Sequence, residues 1–273
     1  MKRPIRQAIS GAIYTVSSLL GVSAFLYPFF IVVSPQSPAQ AHSNDAPLVT
    51  AALLGLLLMA MIVELQGQTL GAKMVALLGI LTALNSVLRF IENAIPGPGG
   101  FSPVFAPIIL TGYVFGGRFG FLMGVFSLLV SALITGGVGP WLPYQMFAAG
   151  WVGLTTGGLH LLRPLFGPYR HQKAEIALLC AWGFLWGLLY GAIMNLWFWP
   201  WAVGPPDQTW SAGLSLADGL RNYGKFYLVT SLAWDMGRAI GNVALILLIG
   251  PPTLRTLERF RQRFYFEVRP AHD

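Results

Sequence analysis

Arg89, Glu92, Asp235 and Arg238 interrupt apolar stretches of a 273-residue chain. Asn85 and Asn93 flank Arg89 at i−4 and i+4, so the three share one face of a helix, and Glu92 follows at i+3. Asp235 and Arg238 are three apart and can pair across one helical turn, with Asn242 continuing their face. A charged group at membrane depth costs several kcal/mol on insertion scales, so each of these needs a partner or a cavity. Guanidinium and amide groups hold solutes by hydrogen bonds, which is binding chemistry. Catalytic signatures are missing. No serine sits in Gly-x-Ser-x-Gly, and no paired carboxylates suggest hydrolysis. His42, His160, His171 and His272 are scattered, without the i, i+4 spacing of a helical zinc site. His42 with Asp45 offers only a weak metal site in a solvated loop. Gly219 to Lys225 has the spacing of a phosphate-binding loop, but Phe226 stands where the magnesium-binding Ser or Thr is required. The single cysteine, Cys180, excludes an internal disulfide and a Cys-based zinc cluster. The chain reads as a non-enzyme without cofactor or metal.

The elements that position these groups are helices in lipid. Hydrophobic residues make up 55% of the chain and charged residues 10%, against about 25% in soluble domains. Mean hydropathy is +0.63. That balance argues against a soluble enzyme, a secreted disulfide scaffold and a disordered tail. Spans of about 20 apolar residues are expected over 9–33, 48–65, 73–93, 103–117, 119–135, 141–162, 176–199 and 228–250. The fourth and fifth are short, and Gly116, Gly117 and Arg118 between them predict a tight hairpin. Small residues recur at every fourth position: Gly112, Gly116, Gly120 and Gly124; Ala149, Gly153 and Gly157; Gly183, Gly187 and Gly191; Ala233, Gly237 and Gly241. Such seams let helix backbones approach closely. Extending the second and third one step places Gln145 and Asn195 on inward faces at one end of the bundle.

Basic residues set the orientation. With the N-terminus inside, thirteen of the 17 Lys and Arg fall on the cytoplasmic side, only Arg221 and Lys225 fall outside, and Arg89 and Arg238 lie within spans. The net charge of +7 is therefore a topology signal facing anionic lipid, and no motif supports nucleic-acid binding. Ala39-Gln40-Ala41 resembles a signal-peptidase site, but the apolar run before it, about 25 residues, exceeds a secretory h-region and favours a retained helix. The outward loops are then 34–47, 94–102, 136–140 and 200–227. They are rich in Gly, Pro and Trp, as suits either an aromatic belt or a lid over a ligand. Arg89, Gln145, Asn195, Asp235 and Arg238 all fall in the outer half of the membrane.

From Lys73 onward the chain resembles the substrate-binding S components of energy-coupling factor (ECF) vitamin transporters. The resemblance covers six of the eight spans. It rests on Ala83-Leu84 through Arg89, on Gly112-Tyr113-Val114-Phe115-Gly116 with Gly120-Phe121, and on Gly136-Gly137-Val138-Gly139-Pro140-Trp141-Leu142-Pro143-Tyr144-Gln145-Met146. Asn195-Leu196-Trp197-Phe198-Trp199-Pro200, Trp234-Asp235-Met236-Gly237-Arg238-Ala239 and His42-Ser43-Asn44-Asp45-Ala46-Pro47 resemble a bacterial subgroup in which two extra helices precede the core.

The resemblance implies an all-α multi-pass protein of a bacterial cytoplasmic membrane. Residues 1–70 form an N-terminal helix pair, 71–252 a six-helix substrate-binding core, and 253–273 a basic cytoplasmic tail. It implies a transmembrane coupling (T) component and two ABC-type ATPases as partners. Ala72 and Ala76 match the family's Ala-x-x-x-Ala contact with the coupling subunit. The implied ligand is a vitamin, with cobalamin or a related corrinoid as the subgroup's candidate. Arg89, Gln145 and Asn195 would hydrogen-bond it, and Trp141 and Trp199 would stack on it. Asp235 and Arg238 would fix helix geometry or contact it, and Asn85 and Tyr144 complete the set. The alternative is an ion-coupled secondary transporter that uses Asp235 as a relay.

Overall fold

Apolar runs in lipid have one low-cost conformation, because an α-helix satisfies every backbone amide within its own segment. The structure, a computed structural model, describes residues 3–30, 43, 45–66, 72–166 and 172–264, and all the regular elements among them are helical. There are nine α-helices in these residues: α1 (Arg3–Leu26), α2 (Ala46–Gln66), α3 (Ala72–Ala94), α4 (Phe105–Phe115), α5 (Gly117–Thr135), α6 (Leu142–Thr156), α7 (Gln172–Phe198), α8 (Leu216–Thr230) and α9 (Leu232–Phe264). Short 3-10 turns extend α1 (Tyr27–Phe29), α6 (Gly157–Phe166) and α7 (Trp199–Trp201). Five stretches are long and apolar enough to cross a membrane: Gln7–Phe29, Lys73–Ala94, Gly117–Thr135, Lys173–Trp201 and Leu232–Gln262. Eight of the nine helices overlap the eight expected segments. The ninth, α8, lies in what the sequence presented as the 200–227 loop. The proposed cleavage motif at 39–41, His42, His171, His272 and residues 265–273 lie outside the described residues, as do the side chains of His160 and Ala72.

Glycine sets two of the turns. Gly116, at φ +95°, separates α4 from α5 and makes the expected hairpin. Gly136, at φ +68°, ends α5 with the Gly137 amide donating to the Ala132 carbonyl at 2.9 Å, a Schellman-type stop. Pro143 sits in the first turn of α6, where its missing N–H costs nothing. Pro251 and Pro252 do not end α9, which runs on to Phe264. The expected span ended at 250, and proline removes a helix hydrogen bond. Membrane helices tolerate proline where neighbouring groups satisfy the freed backbone.

Three of the four small-residue seams are helix contacts. Gly112, Gly120 and Gly124 lie against Gly153 and Ala149 with no room for a side chain, and Gly157 lies against Gly117. Gly183 meets Ile246 and Asn242, Gly187 meets Ala239, and Gly191 meets the Asp235 carboxylate. Thus α5 packs on α6, and α7 on α9. Helix α4 runs through the middle, with Phe105, Ala106, Ile108, Ile109, Leu110, Tyr113 and Val114 all buried. The α1–α2 pair packs on α6. The outward faces are apolar: Ile80, Leu84 and Val87 on α3, Leu133 and Ile134 on α5, and Ile240 and Leu248 on α9 are exposed, as lipid-facing positions should be.

Candidate functional site

At one end of the bundle the last turns of α3, α5 and α7 meet the first turns of α4, α6 and α9, and the segments 95–104 and 199–231 cover them. This is called the lid end here. The fourth small-residue seam has a different partner from the other three. The 98–101 turn, rather than a helix, lies on Gly237 and Gly241: Gly237 faces the Pro98 carbonyl and Gly241 the Phe101 ring. Gly99 adopts φ +59°, and the Gly100 amide donates to the Trp234 carbonyl at 3.1 Å. A side chain at Gly100 would collide with that carbonyl, so the loop rests on α9 only because both surfaces lack bulk.

Beneath this loop is a cavity of about 360 Å³ lined by residues of α3, α4, α6, α7 and α9. Arg89, Glu92, Gln145 and Arg238 supply its hydrogen-bonding groups, with Asn93 and Ser102; Phe105 and Tyr190 supply aromatic walls. Arg89 Nη2 donates to Gln145 Oε1 at 3.3 Å, joining α3 to α6. Ser102 Oγ donates to Glu92 Oε2 at 2.8 Å and ties the loop to α3. Arg238 forms an ion pair with Asp235 and donates to the Gly187 carbonyl at 3.3 Å. Its guanidinium carbon lies 5.2 Å from the Tyr190 ring centroid and 5.9 Å from that of Phe105, within cation–π range. The side chain of Asp235 is 3% exposed and rests on Gly191, so it anchors Arg238 from behind the cavity wall.

Of the nine residues expected to bind substrate, Arg89, Gln145 and Arg238 line this cavity. The other six do not. Asn85 is buried, with Nδ2 donating to the Val104 carbonyl at 3.2 Å and to Ser127 Oγ at 2.9 Å; it ties α3 to α4 and α5. Asn195 Nδ2 donates to Ser231 Oγ at 2.6 Å and secures the lid to α7. Tyr144 is fully buried, and its hydroxyl donates to Asp45 Oδ2 at 3.4 Å; Tyr27 donates to the same carboxylate. Trp141 is 38% exposed and its indole N–H donates to the Gly137 carbonyl at 3.3 Å. Trp199 is buried among Phe29, Trp210 and Tyr223, with its N–H on the Gln208 carbonyl at 2.9 Å. Asp235 stands behind Arg238.

Glu92 and Asn93 entered the sequence argument only as neighbours of Arg89. Ser102, Phe105 and Tyr190 carried no signal there: the loop brings in Ser102, and the packing of α4 and α7 brings in Phe105 and Tyr190. The lid helix α8 did carry one: Ser215 Oγ accepts the Asp218 amide at 3.1 Å and its hydroxyl meets the Asp218 carboxylate at 2.6 Å, the hydrogen-bonded start that Ser-x-x-Asp announces. Asn222 Nδ2 donates to the carbonyls of Pro206 and Thr209, each at 3.1 Å, and holds the 205–209 turn against α8. Lys225 pairs with Asp207 at 2.8 Å, and that hydrogen bond holds the Asp207 carboxyl below its usual range.

Far from the lid, Ala76 lies on an exposed apolar groove of about 650 Å³ between α3 and the last turns of α9, with Lys73, Ile80, Pro252 and Phe260. Ala72 begins α3 one turn earlier. Among the described residues, no group of three or more His, Cys, Asp or Glu is placed to hold a metal.

The family model described as "ECF transporter, substrate-specific component" matches residues 73–250. No curated protein and no solved structure matches the chain.

Proposed function

The chain belongs to the substrate-specific components of ECF transporters, a family of multi-pass membrane transport proteins, and we propose that its lid-end cavity is the receptor for the transported solute. The observation that carries the proposal is the convergence of Arg89, Gln145 and Arg238, from three helices, on one cavity under a loop held by hydrogen bonds. In this reading the lid end faces outside the cell, and the protein sits in a bacterial cytoplasmic membrane. A vitamin-like molecule enters beneath the 96–102 loop and is hydrogen-bonded by Arg89 and Gln145. A transmembrane coupling component and two ABC-type ATPases supply the energy for inward release. Residues 71–252 form the binding core and 1–70 an added helix pair. The Ala76 groove, with Ala72 beside it, is the face proposed for the coupling component.

Asp235 serves this reading as the anchor of Arg238. The ion-coupled alternative would need it to exchange protons, and its pairing with Arg238 opposes that. A cobalamin or related corrinoid is a candidate solute that would need room beyond the cavity's volume of about 360 Å³. The test is mass spectrometry of small molecules that co-purify with the chain in mild detergent. The reading expects an organic solute whose occupancy falls in Gln145→Ala while the variant still inserts into the membrane. Equal occupancy in wild type and variant removes Gln145 from the site.

A further inference from the structure

We infer that the solute is a small organic monoanion whose carboxylate seats on Arg89; the inference rests on the receptor reading above and names its ligand class. The two guanidinium groups at the cavity are held unequally. Arg238 is matched by Asp235 and donates to a backbone carbonyl besides. Arg89 has Glu92 one turn along α3 as an opposite charge on the cavity wall, but the two are not bonded. A guanidinium has five N–H donors. Among the described residues Arg89 makes one hydrogen bond, to the neutral amide of Gln145, and its guanidinium has no carboxylate within 4.0 Å. It is half-buried in a membrane-spanning helix, where open guanidinium donors are costly. A carboxylate laid on its free edge accepts two parallel hydrogen bonds.

Glu92 limits what else the ligand carries. It lies one turn along α3 on the same cavity wall, near Arg89 and Arg238, and among the described residues its bond is to Ser102 rather than to a cation. A dianion such as a phosphate ester would meet this carboxylate with its second charge unmatched. A hydroxyl, amide N–H or ammonium elsewhere on the ligand would find in Glu92 an acceptor. The Phe105 and Tyr190 rings wall the remaining space for an apolar body. Size agrees with a small molecule: about 360 Å³ lies near the lower end of ligand pockets, roughly 300–1,000 Å³. A corrin macrocycle with its side chains and nucleotide is larger than the whole cavity.

The test is thermal unfolding of the full chain in detergent, titrated with small carboxylic acids and the primary amide of each, with inorganic phosphate and cyanocobalamin in the same series. At least one acid should raise the unfolding midpoint, and its amide and phosphate should not. Arg89→Gln should weaken that acid by about tenfold or more, and Arg89→Lys by less, because the point charge remains without the fork. Gel filtration checks that both variants are folded; if Arg89→Gln is not, the acid–amide comparison on wild type decides alone. An amide as effective as its acid, or an Arg89→Gln variant with unchanged acid affinity, overturns the assignment. Stabilisation by cyanocobalamin alone overturns it too, yet leaves the receptor reading intact. No shift with any probe also contradicts the anion assignment, and the co-purified solute then decides the receptor reading separately.

Discussion

Asp235 and Arg238 form an ion pair whose side chains are 3% and 17% exposed, in a helix that crosses lipid. Removing one partner of such a pair leaves an uncompensated charge, at a cost of about 3–5 kcal/mol. Asp235→Asn should therefore lower the unfolding midpoint by many degrees. Asp235→Leu combined with Arg238→Met should recover a large part of the loss, because two apolar groups need no partner. Thermal unfolding in detergent checks both; a double variant no better than Asp235→Asn would contradict the account. The pair was legible in the sequence because its spacing is local, three residues on one helix. The Arg89–Gln145 contact, 56 residues apart, was not read from the sequence, which placed the two groups only in the same outer half of the membrane. Asn195 was legible only as inward-facing, and Trp199 only as a loop tryptophan of belt or lid. Their partners, Ser231 and Gln208, lie in a lid whose path no periodicity announced.

Helices α5, α6, α7 and α9 are held at backbone contact by glycine, so added bulk acts directly on their spacing. A Cβ at Gly187 meets the Ala239 backbone at 2.6 Å, and one at Gly183 meets Ile246 at 2.7 Å, whereas Gly79 on α3 has nothing within 4 Å. Gly187→Ala should cost about 1–3 kcal/mol through forced backbone shifts. Gly79→Ala should be neutral or stabilising by up to about 1 kcal/mol, since alanine is the better helix former. Equal unfolding midpoints for the two variants would contradict the seam reading. The seams were readable because four-residue spacing fixes a helix face. Their partners were not: nothing in the spacing told that Gly237 and Gly241 face a loop instead of a helix. Helix α8 was missed for a related reason. It is amphipathic and contributes no apolar run of spanning length, and only the Ser215-x-x-Asp218 start marks it.

Across the molecule, polar groups and lids gather at one end and basic residues at the other. Arg118 bonds the Gln7 carbonyl at 3.1 Å at the end opposite the lid, where Lys73, Lys173 and Arg255 also lie along their helices. That asymmetry was present in the chain as charge order, which is why the orientation could be argued without coordinates. The location of the cavity could not be, because five helices and a loop must assemble before it exists. The import account stands on which compartment this cavity opens to. The most direct measurement is labelling of single cysteines at Pro98 and Val203, in a Cys180→Ala background, with a membrane-impermeant maleimide on intact cells. Both positions are exposed on the lid, and Cys180 is buried. The account predicts that both label from outside, while a cysteine at Thr256, on the far groove, labels only after the cells are opened. Labelling of Thr256 from outside, with Pro98 and Val203 protected until lysis, would place the receptor toward the cytosol and contradict import.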